Sequence, residues 1–256
     1  MAVDFDDTLA PILGDPAAAR PLPRVMAVLT APAGRGLRVV VPTGRPAEHV
    51  VRTAMLRSGP DEPPTTVLGH HGLQRGDSAT DRLSSPPPHP ALEQGRARRP
   101  RLLAQSGVPA RIEDKTHGLS LHTRCCENPP AALGLMEPPV RAPAGDLGLR
   151  AEVGRLVLEL RPDGIDKGTV LAAVLAERPT RSVLYAGDDL ADPPVVRLLS
   201  DRCARGGTGV LVHSAPMSEN EVVPELASSC ALRVSGPDGV AALLAAAERA
   251  LVGRRP

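Results

Sequence analysis

The chain has 256 residues, with 30 basic and 29 acidic side chains, and its formal net charge is +1. This length can bury a full core, so we expect one domain that carries one insert. The balanced charge offers no general attraction for nucleic acid or an acidic membrane surface, and a small-molecule substrate fits better.

The acidic N-terminal segment and the short apolar stretches predict neither a signal peptide nor a membrane span. The four cysteines lack disulfide or metal-binding spacing, which suits a reducing compartment. We therefore expect a cytoplasmic monomer.

The first part of the chain alternates short apolar runs with helical patterns. Strands are predicted at residues 3–5, 36–42 and 66–68, and helices at 21–29 and 45–56. Several of these strands end in polar residues, as strands of a parallel sheet do when their carboxyl ends carry the functional groups.

The pattern changes between residues 74 and 162, which we predict to be an inserted domain. Residues 84–100 are rich in Pro, Arg and Ser and are predicted to form a loop or irregular linker. Antiparallel strands are predicted from alternating stretches at 110–114, 119–123, 147–151 and 155–160.

The strand and helix alternation resumes after the insert. A helix is predicted at 167–177, strands at 182–186, 208–212 and 231–234, and a final helix at 239–251. The core therefore comprises residues 1–73 and 163–256, and we predict an α/β fold with a doubly wound, mainly parallel sheet.

An acidic pair, Asp4 and Asp6, leaves the end of the first predicted strand. Two carboxylates bent toward one point can bind a hard cation, or one can attack phosphorus while the other moves a proton. An acidic loop or a helix cap is the structural alternative.

A second acidic group follows the strand at 182–186, where Asp188 and Asp189 come directly after Gly187 and Asp192 lies one turn further on. Clustered carboxylates repel one another unless a cation lies among them, and Mg²⁺ prefers such oxygen ligands. Gly-Asp-Asp also suits an ordinary turn. Two acidic groups at separate strand ends make a magnesium site the better hypothesis.

A threonine and a lysine complete the candidate site. Thr43 follows the second strand and offers a hydroxyl to a phosphate oxygen, and Lys167 opens a helix and offers a positive charge. Only two lysines, Lys115 and Lys167, occur among the 30 basic residues. Lysine carries a compact point charge, whereas the arginine guanidinium is a planar fork. The presence of lysine at position 167, in a chain that otherwise uses arginine, therefore indicates a crowded ligand site.

At these residues the chain resembles the haloacid dehalogenase superfamily of phosphohydrolases. The four motifs appear in order as DFDDT at 4–8, PTGR at 42–45, DKG at 166–168 and GDDLAD at 187–192. Within this superfamily the chain is similar to the trehalose-6-phosphate phosphatase family. That likeness rests on GHHGLQ at 69–74, IEDK at 112–115, HTR at 122–124 and LELRPDGIDKG at 158–168.

The resemblance implies a Rossmann-like core with an α+β cap domain of the C2 type that closes over the sugar. Asp4 would be the nucleophile and Asp6 the general acid and base, while Thr43 and Lys167 hold the phosphoryl oxygens. Magnesium would be bound by Asp4, the Asp6 carbonyl and Asp188, with Asp189 or Asp192 in support. The substrate-binding residues it implies are Arg45, Glu113, Lys115, Arg124 and Glu159.

Several positions depart from the family pattern. Asp7 stands where the family usually has Gly, and His70 where it has Asn. In the last motif, Ala191 replaces Thr and Pro193 replaces Glu.

The implied function is hydrolysis of trehalose 6-phosphate in trehalose biosynthesis. One alternative is another capped sugar phosphatase, acting on sucrose phosphate or on glucosyl- or mannosyl-phosphoglycerate. The others are a receiver-like phospho-acceptor module and a regulator that keeps the fold with little or no catalysis.

Overall fold

The computed structural model describes residues 1–13, 18–30, 38–53, 65–78, 80, 82–178, 180–215 and 223–252. The chain divides into two units, which are described separately. The core unit comprises Met1–Ser85 and Asp166–Pro256, and the insert comprises Pro86–Ile165. No helix in the described segments is long and apolar enough to cross a membrane.

In the described residues, the core unit contains one eight-stranded sheet in the order β12-β11-β10-β1-β2-β3-β4-β5. The strands are β1 (Ala2–Val3), β2 (Val39–Pro42), β3 (Thr65–Gly69), β4 (Gln74–Asp77), β5 (Leu83–Ser84), β10 (Ser182–Gly187), β11 (Thr208–Ala215) and β12 (Leu232–Ser235). The six from β12 to β3 run parallel, whereas β4 and β5 are antiparallel. The chain builds outward from β1 through β2 and β3 on one side, and through β10, β11 and β12 on the other. The strand order therefore reverses beside β1, which is where doubly wound sheets bind ligands.

Helices cover both faces of this sheet. The core helices are α1 (Pro23–Thr30), α2 (Ala47–Thr53), α5 (Lys167–Ala176), α6 (Pro193–Ala204), α7 (Pro224–Ser229) and α8 (Gly236–Val252). Val3 and its neighbours on one face pack with α1, α2 and α8, whereas Ala2 and Tyr185 on the other pack with α5, α6 and α7. Because successive strand residues point to opposite faces, even the two-residue β1 contributes to both layers. The predicted α/β fold is confirmed.

The insert contains, within Pro86–Ile165, a four-stranded antiparallel sheet in the order β6-β7-β9-β8. Its strands are β6 (Arg111–Lys115), β7 (Gly118–His122), β8 (Leu149–Gly154) and β9 (Val157–Pro162), and its helices are α3 (Pro90–Ser106) and α4 (Pro129–Asp146). Leu119, Leu121 and Leu158 of the sheet are buried with Met136 and Val140 of α4. The strand residues between them point to the other face and are mainly polar.

The predicted linker at 84–100 is wrong, because α3 begins at Pro90. Proline is tolerated in the first turn of a helix, and the His89 ring accepts a hydrogen bond from the Ala91 amide at 3.2 Å. Pro100 lies within the helix on an exposed position. The Ala, Leu, Gln and Arg residues around the prolines favour a helix strongly enough to outweigh them.

Other bounds also differ from those predicted. The core sheet extends through β4 and β5, so in the sequence the insert begins after Ser85, whereas it was predicted to begin after residue 73. The strand predicted at 36–42 is present as β2 and the helix predicted at 45–56 as α2. Residues 36, 37 and 54–56 of these predictions lie outside the described residues.

The GHHG segment turns the chain sharply after β3. Gly69 lies so close to α2 that a β-carbon there would be 2.2 Å from the Ala47 amide nitrogen. Gly72 has φ +112° and faces Val170 of α5, and His70 has φ 49°. The Asn usual at position 70 tolerates this left-handed conformation well, and histidine is also enriched in it.

Gly69→Ala is expected to destabilise the protein by about 2–3 kcal/mol, because the new methyl group must displace the backbone at the start of α2. Gly134→Ala is the matched control, since Gly134 is helical and has nothing within 4 Å of a β-carbon. It should be neutral or stabilise by up to about 1 kcal/mol. Urea unfolding followed by circular dichroism measures both, and equal effects would contradict the steric explanation.

Candidate active site

Three adjacent parallel strands deliver the motif residues to the same edge of the core sheet. Asp4 follows β1, Thr43 follows β2 and Asp188 follows β10, and β1 lies between the other two. The Asp4 amide donates to the Ala186 carbonyl at 2.9 Å, which extends the pairing of β1 with β10 into the motif. All three side chains are buried.

A buried lysine joins two of the carboxylates. The Lys167 Nζ lies 2.9 Å from Asp4 Oδ2 and 2.7 Å from Asp192 Oδ1. Lys167 is the first residue of α5, where Asp166 caps the helix by accepting from the Thr169 amide at 2.8 Å. A lysine in the first turn opposes the helix dipole, but two carboxylates compensate its charge here.

Asp192 accepts hydrogen bonds from three groups. Oδ1 receives both Lys167 and the Tyr185 hydroxyl, which lies at 2.6 Å, and Oδ2 receives the Asp189 amide at 2.9 Å. A β-carbon at Gly187 would lie 2.2 Å from Oδ2, so this carboxylate requires glycine there. Asp192 is therefore held in place by groups of the protein itself.

Burial dominates the electrostatics of this network. It raises the pKa of Asp4 to about 8, although the Lys167 ammonium acts in the opposite direction. Burial alone would lower the pKa of Lys167, but Asp192, Asp4 and Asp189 outweigh it and hold that pKa well above its ordinary value. Lys167 therefore stays charged, and Asp4 needs further positive charge to ionise at neutral pH.

The carboxylates of Asp4, Asp188 and Asp192 could hold a metal ion, because one oxygen from each lies within 4.8 Å of the others. Thr8 donates to Asp188 Oδ1 at 3.3 Å and orients it. Buried carboxylate oxygens suit a hard divalent cation, so the residues present fit such an ion. The oxygens of Asp192 already accept three hydrogen bonds from other residues of the protein.

The side chain of Asp6 is held by Arg45. Arg45 Nε and Nη2 donate to the two Asp6 oxygens at 2.8 and 2.7 Å, in the two-pronged geometry that guanidinium favours with carboxylate. The guanidinium also lies 5.1 Å from the centre of the Phe5 ring. Arg45 was predicted to bind substrate, and in this structure it contacts Asp6, the predicted acid and base.

The Thr43 loop is held by the GHHG turn. The His71 amide donates to the Thr43 carbonyl and the His70 amide to the Arg45 carbonyl, each at 2.9 Å. The Arg45 amide in turn donates to the Thr43 hydroxyl at 3.1 Å. Both ends of this short loop are therefore fixed, which orients Thr43 and Arg45.

The insert brings together most of its predicted site residues on the polar face of its sheet. Lys115 Nζ lies 2.8 Å from Glu159 Oε1, and His122 Nε2 lies 2.9 Å from Glu113 Oε2. Arg124 instead donates to the Arg155 carbonyl at 3.3 Å.

Sequence reasoning missed two residues that orient carboxylates of the core site. Thr8 donates to Asp188, and Tyr185 donates to Asp192. Tyr185 could have been found, since it is the only tyrosine of the chain and lies in the strand that leads to Gly187. The hydrogen bond from Thr8 to Asp188 spans 180 positions and leaves no local signal.

Two departures from the family pattern have a structural explanation. Asp7 has φ 48°, a left-handed conformation that glycine adopts freely and that aspartate tolerates better than most residues. Pro193 occupies the first turn of α6, where a missing amide hydrogen is harmless. Nothing in the structure explains Ala191.

The fold of this chain matches those of several solved structures. A haloacid dehalogenase-like hydrolase from Bacteroides thetaiotaomicron superposes with a TM-score of 0.63 at 15% identity, covering 95% of this chain and 97% of that one. The C-terminal domain of trehalose-6-phosphate phosphatase from C. albicans superposes with a TM-score of 0.71 at 17% identity, covering 95% and 90%. The fold is that of the haloacid dehalogenase-like hydrolases.

Sequence comparison indicates one family among the proteins that share this fold. The trehalose-phosphatase family model matches residues 105–226. Trehalose-phosphate phosphatase of Mycobacterium marinum is 33% identical over 205 residues, which cover 74% of this chain and 48% of that protein. The chain is therefore similar to the trehalose-phosphatase family, and it spans about half the length of the curated relatives it matches.

Lys167→Met is expected to destabilise the protein by about 3–5 kcal/mol, because the buried Asp192 carboxylate loses its charged partner. Lys115→Met removes the other lysine, which pairs with Glu159 in a more exposed position, and should cost about 1 kcal/mol. Urea unfolding at pH 7 compares the two, and a loss below 1 kcal/mol for Lys167→Met would contradict this assignment.

Proposed function

We propose that this protein is a magnesium-dependent phosphatase that hydrolyses trehalose 6-phosphate to trehalose and phosphate. The observation that carries the proposal is the buried pair of Asp4 and Lys167 beside Asp188, in a chain that is similar to the trehalose-phosphatase family. A carboxylate nucleophile, a fixed cation and further carboxylates for a metal are the groups that phosphoryl transfer requires.

In the first step an oxygen of Asp4 attacks phosphorus, the bond from phosphorus to the sugar oxygen breaks, and Asp6 supplies the proton for that oxygen. In the second step Asp6 takes a proton from water as the water attacks the aspartyl-phosphate. Phosphate leaves and the Asp4 carboxylate is restored. The two carboxylates differ in environment, since Asp4 is 3% exposed and the Asp6 side chain 36%. The buried Asp4 needs added positive charge to act as an ionised nucleophile.

Lys167 and Thr43 bind the phosphoryl oxygens and orient them for attack, and the fixed Lys167 ammonium needs no reorganisation as charge develops. Asp4, the Asp6 carbonyl and Asp188 would hold Mg²⁺, with Asp189 and Asp192 in support. When bound, the ion adds positive charge that favours ionised Asp4 and neutralises the phosphate.

The contact between Asp6 and Arg45 bears on the proton transfer. Both Asp6 oxygens accept from the guanidinium in this structure. Asp6 must therefore turn at least one oxygen away from Arg45 before it can protonate the leaving group. We propose that Arg45 positions Asp6 between turnovers and also interacts with the substrate.

The sugar specificity is assigned to polar residues of the insert. Glu113, Lys115, Arg124 and Glu159 offer both carboxylate acceptors and cationic donors, the combination that recognises a polyhydroxylated ligand. A different arrangement of hydroxyl groups would leave some of these groups unpaired, which is the basis for discrimination between sugars.

Phosphate release from a panel of sugar phosphates with Mg²⁺ tests the substrate. We expect kcat/KM for trehalose 6-phosphate to exceed those for sucrose phosphate, glucosyl- and mannosyl-phosphoglycerate and glucose 6-phosphate by about 10²-fold or more. Equal or better turnover of another sugar phosphate would overturn the substrate assignment and leave the phosphatase assignment intact. Absence of turnover on every ester would favour a regulator that keeps the fold.

Mg²⁺ affinity is expected to strengthen as pH rises toward 8. The pKa of Asp4 in the metal-free protein is about 8, so below that pH a proton must leave before the carboxylate can bind the ion. Apparent affinity should rise about tenfold per unit between pH 6 and 8 and level off above it. Calorimetric titration measures this, and Asp4→Asn should bind more weakly and lose most of the pH dependence. A wild-type affinity independent of pH would contradict the assigned role of Asp4 as a ligand.

A further inference from the structure

The polar face of the insert sheet carries a row of residues that oppose one another across three strands. Glu113 of β6 lies opposite Ser120 of β7, which lies opposite Glu159 of β9. Opposed residues on one face are near neighbours, so the two carboxylates are placed on either side of one hydroxyl. The buried leucines point the other way, so this row is built for polar contacts.

The two carboxylates of the row are held by different groups. Glu159 Oε1 accepts from Lys115 at 2.8 Å and from Ser120 at 2.9 Å. Glu113 Oε2 accepts from His122 Nε2 at 2.9 Å. A carboxylate can only accept, so the ring carries its hydrogen on Nε2.

His122 is well placed to control Glu113. Its side chain is 14% exposed, whereas that of Glu113 is 38% exposed. The hydrogen bond from His122 is the main reason why the pKa of Glu113 lies below its ordinary value. Within the described residues Glu113 Oε1 accepts no hydrogen bond, so the second oxygen can take one from a ligand.

We infer that His122 is a positioning residue that determines sugar specificity, since it holds Glu113 in one orientation with Oε1 presented to a sugar hydroxyl. A carboxylate already fixed through one oxygen loses less side-chain entropy when a ligand binds to the other. This inference rests on the proposed function, because it assigns Glu113 to the sugar.

Five proteins test the inference: wild type, His122→Ala, His122→Gln, Glu113→Gln and the double variant that combines His122→Ala with Glu113→Gln. The probe is the sugar phosphate of the panel that wild type hydrolyses best, and p-nitrophenyl phosphate is the sugar-free control. We expect His122→Ala to raise KM for the sugar phosphate about tenfold with little change in kcat. Activity on p-nitrophenyl phosphate should stay within twofold of wild type, which excludes misfolding.

Two results distinguish positioning from a direct role. If His122 acts through Glu113, the double variant should have the KM of Glu113→Gln, and His122→Gln, which keeps an N–H donor, should recover most of the loss. Multiplicative effects of the two substitutions, or a His122→Ala variant with unchanged KM, would overturn the inference.

The test of the role of His122 can also be separated from the test of the proposed substrate. Preference of wild type for another sugar phosphate rejects trehalose 6-phosphate, and the same cycle on the preferred ester still decides the role of His122. Equal losses on the sugar phosphate and on p-nitrophenyl phosphate would show a general structural role and overturn the inference.

Discussion

The structure of the core site depends on one buried positive charge. Lys167 is 1% exposed and lies between Asp4 and Asp192, and its removal would leave these buried acidic groups without their charged partner. This constraint extends to the backbone. A β-carbon at Gly168 would lie 2.4 Å from the Pro194 carbonyl oxygen, so glycine lets the start of α5 pack against the start of α6. Gly168 of the DKG motif therefore allows Lys167 to approach Asp192, which directly precedes α6.

The sheet topology explains why residues far apart in the sequence meet. The central strand β1 is paired on both sides, by β10 and by β2, so the ends of three parallel strands adjoin. The short β1 suffices because its neighbours are longer and the Asp4 amide continues the pairing. The position of the site follows from the reversal of strand order at β1, and its chemistry follows from the side chains that happen to end these strands.

The sequence predicted the α/β class, the strand ends that carry the acidic motifs and the four antiparallel strands of the insert. Those signals are local: β-branched runs, alternation and Asp or Gly at strand ends. The helix at Pro90–Ser106 was missed because a segment rich in proline is also typical of a loop. The contacts of Arg45 with Asp6 and of Thr8 with Asp188 join distant segments, so only the folded chain shows them. The resemblance implied a supporting role for Asp192, but the groups that hold its carboxylate are seen only in the folded chain.

The central claim is that Asp4 is the group that attacks phosphorus. Trapping the phosphorylated protein tests this most directly, with Asp6→Asn to slow the hydrolysis of the intermediate and p-nitrophenyl phosphate to supply a leaving group that needs no acid. After reaction with Mg²⁺ and a rapid acid quench, peptide mass spectrometry should find one added phosphoryl group, about 80 Da, on Asp4. A phosphoryl group on another residue, or p-nitrophenol release in a single turnover with no phosphorylated peptide, would contradict the account.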